Sequence, residues 1–148
     1  MRESFVLEDI LNALIALEEH GNDLYQDLEK RADSLEARNL FADLAAQERR
    51  HREIYRGYKN RLALGTAIDD EYQDYLAELL RSSMHLEQFD RQATSYDQAL
   101  AMGIRLEKET LLFLGELKTI LSEKTEEIDE LLKEEKKHLQ RLLELNRT

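Results

Sequence analysis

Two tetrapeptides in this chain set a carboxylate and an imidazole three residues apart: Glu48-Arg49-Arg50-His51 and Glu135-Lys136-Lys137-His138. On an α-helix, residues at that spacing share one face, so each pair can present two ligand atoms to the same ion. Carboxylate oxygen with imidazole nitrogen is a donor set for iron or manganese, with zinc also possible, and not for thiolate-seeking metals. One such pair occurs by chance in any charged helix. Two become informative when further carboxylates stand in register with them.

The elements that must carry these pairs are legible from periodicity. Helical patterning runs from about Phe5 to Lys30, Leu35 to Leu64, Arg91 to Leu121 and Glu126 to Leu145. Asp33 and Ser34 can cap the second of these helices, Asp33 with Glu36 resembling a capping box, and Thr125 can cap the fourth. Gly65 stands where the second helix should stop. Short joins make the first and second helices, and the third and fourth, antiparallel hairpins. The segment from Thr66 to Asp90 carries Tyr72, Tyr75, Leu76, Leu79 and Leu80 and should form a short helix within a long crossover, with His85 as a surface or packing residue. The fold expected is an all-α, four-helix bundle in a single domain spanning residues 1–148, with the one long crossover of ferritin-like connectivity.

Each inward seam breaks its own rule near the middle. The first helix steps through Leu7, Leu11, Leu14, Glu18, Gly21, Tyr25 and Leu28; the second through Phe41, Leu44, Glu48, His51, Tyr55, Tyr58 and Leu62. The third gives Tyr96, Leu100, Gly103, Glu107, Thr110, Leu114, Leu117 and Leu121, and the fourth Ile128, Leu131, Glu135, His138, Leu142 and Leu145. Four carboxylates at one depth would repel one another, each at a desolvation cost of several kcal/mol. They would hold protons unless cations stood between them. No lysine or arginine lies on any seam. Two divalent ions balance the four negative charges and leave the imidazoles neutral. A proton-sharing polar core without metal is the competing account. Di-metal carboxylate bundles use one Glu from each of two helices and Glu-x-x-His from each of the others, the pattern of Glu18, Glu107, Glu48/His51 and Glu135/His138. Glu19, His20, Glu109 and Glu134 adjoin these positions off the seam and read as solvated surface residues. Tyr25, Tyr55 and Tyr58 can be carboxylate-orienting donors, although Tyr55 and Tyr58 read better as core aromatics.

The chain resembles the ferritin-like superfamily, and within it the rubrerythrin branch. The resemblance rests on the run from Glu18 to Tyr25, the run from Leu40 to His51, Glu107-Lys108-Glu109-Thr110-Leu111-Leu112-Phe113, and Glu135-Lys136-Lys137-His138. It covers nearly the whole chain, whose halves look like a diverged repeat. It implies that Glu18, Glu48, His51, Glu107, Glu135 and His138 bind two iron ions, with Tyr25 near the site. Two departures stand out. Rubrerythrins carry a further glutamate, used in redox-linked ligand exchange, where this chain has Thr110. The rubredoxin-like domain is also missing, so electrons for a reductase cycle would come from a separate donor protein.

Composition bounds the remaining possibilities. There is no cysteine, hence no disulfide framework and no thiolate metal site, and there is no proline in 148 residues. A net charge of −11 argues against binding nucleic acid backbones. No apolar run is long enough to span a membrane, and the N-terminal residues do not resemble a signal peptide, so a soluble cytoplasmic domain is expected. The function expected first is oxidoreduction of rubrerythrin type, in which peroxide or dioxygen is reduced at the metal pair. Iron oxidation and handling, as by a ferritin, is the second reading, and a non-enzymatic helical interaction module is the third. Off-seam Ile54, Leu76, Leu80, Ile104 and Leu112 could form a second interface, giving a homodimer.

Overall fold

A chain without proline, patterned at three- and four-residue steps, has little choice but long helices that bury one stripe each. The computed structural model describes residues 6–61, 68–83 and 95–147. It contains α1 (Val6–Arg31), α2 (Leu35–Arg61), α3 (Asp70–Ser83), α4 (Tyr96–Ile120) and α5 (Thr125–Asn146), with a 3₁₀ turn, Ser122–Lys124, leading into α5. No strand occurs among the described residues. Helices α1 and α2 pair as one hairpin and α4 and α5 as another, with α1 against α4 joining the two. This is the expected four-helix bundle. Helix α3 is the predicted short helix of the crossover. It lies along α1 and donates from both Tyr72 and Tyr75 to the carboxylate of Glu116 on α4.

Local chemistry explains where the helices start. Ser34, not Asp33, caps α2: its Oγ accepts from the amide of Ala37 at 3.1 Å. Helix α4 begins five residues later than periodicity indicates, because Ser95 adopts an extended backbone and its side chain accepts from the amide of Gln98. Ser95 and Gln98 stand at the spacing of a capping box, and the Ser95 half of it is formed. Acidic residues occupy the first turn of α1, α3 and α4, where they complement the helix dipole. The expectations for Phe5, for Leu62 to Gly65 and for His85 lie outside the described residues.

The core matches the seams. Leu7, Leu11, Leu14, Leu28, Phe41, Leu44, Leu100, Leu114, Leu117, Ile128 and Leu142 are all buried, and Phe113 and Leu17 extend the core between seams. Leu76 and Ile104, expected to face a second subunit, are instead buried within the chain: Leu76 belongs to the face by which α3 docks. Leu112 alone of that group is exposed, with Ile54 and Leu80 half-buried.

Leu14→Ala should cost about 2–5 kcal/mol in urea denaturation, since it deletes fully buried methyl groups from the bundle centre. Leu112→Ala should stay within about 0.5 kcal/mol of the parent.

Candidate metal centre

The six seam residues meet. Glu18 comes from α1, Glu48 and His51 from α2, Glu107 from α4, and Glu135 and His138 from α5; none is more than 2% exposed. Their ligand atoms fall into two groups that share Glu135. One is Glu18, His51 and Glu135, the other Glu48, Glu107, Glu135 and His138, with the atoms of each group within 4.8 Å of one another. His51 Nδ1 lies 2.5 Å from Glu135 Oε1 and 3.8 Å from Glu18 Oε1. His138 Nδ1 lies 3.4 Å from Glu135 Oε2, 3.6 Å from Glu48 Oε1 and 3.8 Å from Glu107 Oε1. The two imidazoles stack across the middle with centroids 5.7 Å apart. Each histidine thus faces a carboxylate from the other half of the chain.

This arrangement is incomplete as a set of protein contacts. Both oxygens of Glu18, Oε1 of Glu48, Oε2 of Glu107, Oε2 of Glu135 and Nδ1 of His138 are buried without a hydrogen-bond partner. Buried polar atoms are ordinarily satisfied, so six orphaned donor atoms around one space call for a missing partner. Among the described residues no lysine or arginine pairs with any of the four carboxylates; Arg50 reaches only the outer side of His51, its Nη2 3.5 Å from Nε2. Burial, and then repulsion from the neighbouring carboxylates, pushes Glu48 and Glu107 well above the ordinary glutamate range, and Glu18 with them. Glu135 goes the other way: the closeness of Glu107 and of both histidines, His51 Nδ1 lying against its Oε1, outweighs its burial and holds it ionised. Without cations, then, the cluster concentrates its charge on Glu135 and keeps protons on the rest. Divalent ions fit this donor set, because they supply the positive charge that the fold withholds.

The surrounding residues hold the ligands in place. Tyr25 donates from Oη to Glu107 Oε1 at 2.6 Å, the orienting role expected for it. Tyr55 is a fully buried core aromatic whose hydroxyl makes no hydrogen bond among the described residues. Tyr58 is a buried aromatic whose hydroxyl has no hydrogen bond. Thr110 turns its hydroxyl back to the carbonyl of Leu106 at 2.9 Å, a bond internal to α4. Glu134 corrects the sequence reading. It is not merely a solvated surface residue, because its Oε2 accepts from His51 Nε2 at 2.5 Å and also binds the guanidinium of Arg50. Gln47, which the sequence reading passed over, accepts from His138 Nε2 at 2.6 Å. The available signal was positional: Gln47 and Glu134 each precede the glutamate of a Glu-x-x-His pair. Glu19 pairs with Arg56 at the surface, and Glu109 and His20 stay outside the cluster.

Two glycines make room. A Cβ on Gly21 would stand 2.9 Å from Glu48 Oε2, and one on Gly103 would stand 3.2 Å from Tyr25 Cε1. The close approach of α1 to the Glu48 carboxylate, and of Tyr25 to α4, therefore depends on the missing side chains.

Fold and donor set together define a ferritin-like bundle of the di-metal carboxylate type. A crystal structure from Thermotoga maritima, described as that of a ferritin-like diiron-carboxylate protein, superposes with a TM-score of 0.72 at 28% identity, over 95% of this chain and 94% of that one. No curated protein matches the sequence. The rubrerythrin family model matches residues 9–146, and the chain belongs to that family.

Two outcomes follow from this geometry. Gly21→Ala should raise helix propensity by about 1 kcal/mol yet drive the Glu48 carboxylate from its place, so that metal affinity measured by calorimetry falls while the metal-free melting temperature holds or rises. The second concerns pH. Glu18, Glu48 and Glu107 have folded-state values above the unfolded 4.5, so their contribution is full below pH 4.5 and is lost as pH climbs through the raised values. His51, raised above 6.5, adds in the same direction at higher pH. Glu135 is opposed, but its contribution is already complete above pH 4.5. Urea titrations of metal-free protein should therefore show stability falling from about pH 5 to pH 8. Uptake of metal at neutral pH should release protons, seen as a buffer-dependent heat in calorimetry.

Proposed function

We propose that this protein reduces peroxide with two iron ions held by Glu18, Glu48, His51, Glu107, Glu135 and His138, drawing electrons from a separate donor protein. The observation that carries this reading is the shared carboxylate of Glu135, whose two oxygens face the two ligand groups and so join two metal positions into one centre. Held by these six residues, two ferrous ions would supply one electron each, the two electrons that, with two protons, turn one peroxide into two waters. The protein's own residues bind, orient and shield. Tyr25 Oη holds its proton against Glu107 Oε1 and so restrains the plane of that carboxylate. Leu14, Leu44 and Leu131 stand one helical turn, and Leu114 two turns, from ligands on their own helices and are buried, which keeps bulk water from the carboxylates. With the six donors at most 2% exposed, the site suits an oxidant as small as peroxide or dioxygen and excludes bulky substrates.

Thr110 favours the second reading, iron oxidation by dioxygen. Its hydroxyl is committed to Leu106, so no further carboxylate is offered where rubrerythrins have a glutamate. The third reading, a helical interaction module without chemistry, predicts no stoichiometric metal and leaves six buried donor atoms unexplained.

The test is anaerobic loading with Fe(II), a count of bound iron, and rapid mixing with peroxide or with dissolved dioxygen. About two irons per chain and faster oxidation by peroxide, both lost in Glu48→Ala and His138→Ala, are expected. Faster oxidation by dioxygen would move the assignment to the ferroxidase. A folded chain that binds no iron would overturn both.

A further inference from the structure

The two histidines are braced by unlike groups. His138 Nε2 donates to Gln47 Oε1, and the orientation of that amide is settled because Gln47 Nε2 donates in turn to Asp43 Oδ2 at 3.2 Å. Asp43 accepts only, and it is itself held by Arg141. A neutral carbonyl therefore meets the ring proton of His138. His51 Nε2 instead donates to Glu134, a carboxylate locked by Arg50. Glu134 is a third exposed, so its pairing with His51 is formed at the rim of the bundle while the imidazole itself is fully buried. Both braces place the ring proton on Nε2 and turn Nδ1 inward, toward Glu135. They differ in charge. A carboxylate behind an imidazole makes the opposite nitrogen a stronger donor than an amide carbonyl does, and loss of such a brace typically costs 10–100-fold in metal affinity.

Taking the di-metal reading as given, we propose that Glu134 and Gln47 are positioning residues that tune the two metal positions independently, the anionic brace strengthening the His51 position and the neutral one leaving the His138 position weaker than its ligands allow. The two residues hold equivalent places, each immediately before the glutamate of its Glu-x-x-His pair and each reaching across the α2–α5 interface to the other pair's histidine. The two braces share a geometry and differ in charge. The ions in such a centre are thus unlike before any substrate arrives.

Co(II) is the probe that reads the two positions separately. Bound at Nδ1, it shifts the exchangeable Nε2 proton of the same ring in the NMR spectrum, giving one signal for His51 and one for His138, assigned with His51→Gln and His138→Gln. In a Co(II) titration of the intact chain, Glu134→Gln should weaken filling at His51 by about 10-fold and leave the half-point at His138 within about 2-fold. Gln47→Glu, made together with Asp43→Asn so that an amide N–H meets the new carboxylate, should tighten filling at His138 by a similar factor and leave His51 alone. Thermal melts of each metal-free variant serve as the check on folding. Equal weakening at both histidines in Glu134→Gln, or no change in either variant, would overturn the inference while leaving the metal pair intact. Failure of the parent chain to bind two Co(II) ions would instead strike the di-metal reading, and this inference with it.

Discussion

Four carboxylates buried at one level of a helical bundle are the constraint on which the rest of this structure depends. Each alone is a defect that a neighbouring cation or a bound proton could repair. Together they cannot all be ionised in a medium of low dielectric, and among the described residues no lysine or arginine pairs with them. The fold accepts that instability locally and compensates with apolar packing above and below: Leu7, Leu11 and Leu14 on one side of Glu18, Tyr25 and Leu28 on the other. The centre is a reservoir of unmet electrostatic demand, and the proposed pair of divalent ions would meet it.

The repeat of a helical hairpin supplies the geometry. Helices α1 and α4 each deliver one glutamate, while α2 and α5 each deliver a glutamate and a histidine on the same face. Because the hairpins face each other, the imidazole of one half reaches the carboxylate of the other, and Glu135 comes to lie between the two rings. Symmetry is approximate, and the departures matter most. Tyr25 restrains Glu107 by a direct hydrogen bond, whereas neither oxygen of Glu18 has a hydrogen-bond partner. An amide braces one histidine and a carboxylate the other.

Close packing is what makes so polar a centre tolerable. The α1 backbone approaches Glu48 at Gly21, a distance no other residue permits without displacing the carboxylate. On the far side, Gly103 accepts the ring of Tyr25. These glycines lie within helices, where they weaken the helix itself, and the gain lies entirely in what they let approach. Thr110 acts in the opposite sense, filling its place with a hydroxyl that bonds within its own helix.

Spacing alone determined the outline. The three- and four-residue steps located the long helices, and interruption of each apolar seam by glutamate singled out the six residues that converge, because helical periodicity fixes which side chains share a face. The same reasoning could not say how the faces meet. It missed Gln47 and read Glu134 as solvent-exposed, since both lie off the seam and acquire their partners only when α2 packs on α5. It offered Leu76 and Ile104 to a second subunit, though Leu76 is buried where α3 docks and Ile104 within α4. It placed the start of α4 by apolar pattern when the cap at Ser95 decides it. Periodicity is a property of one helix, whereas bracing, docking and the sharing of Glu135 between two histidines are properties of pairs of helices, and only the tertiary structure brings those pairs together.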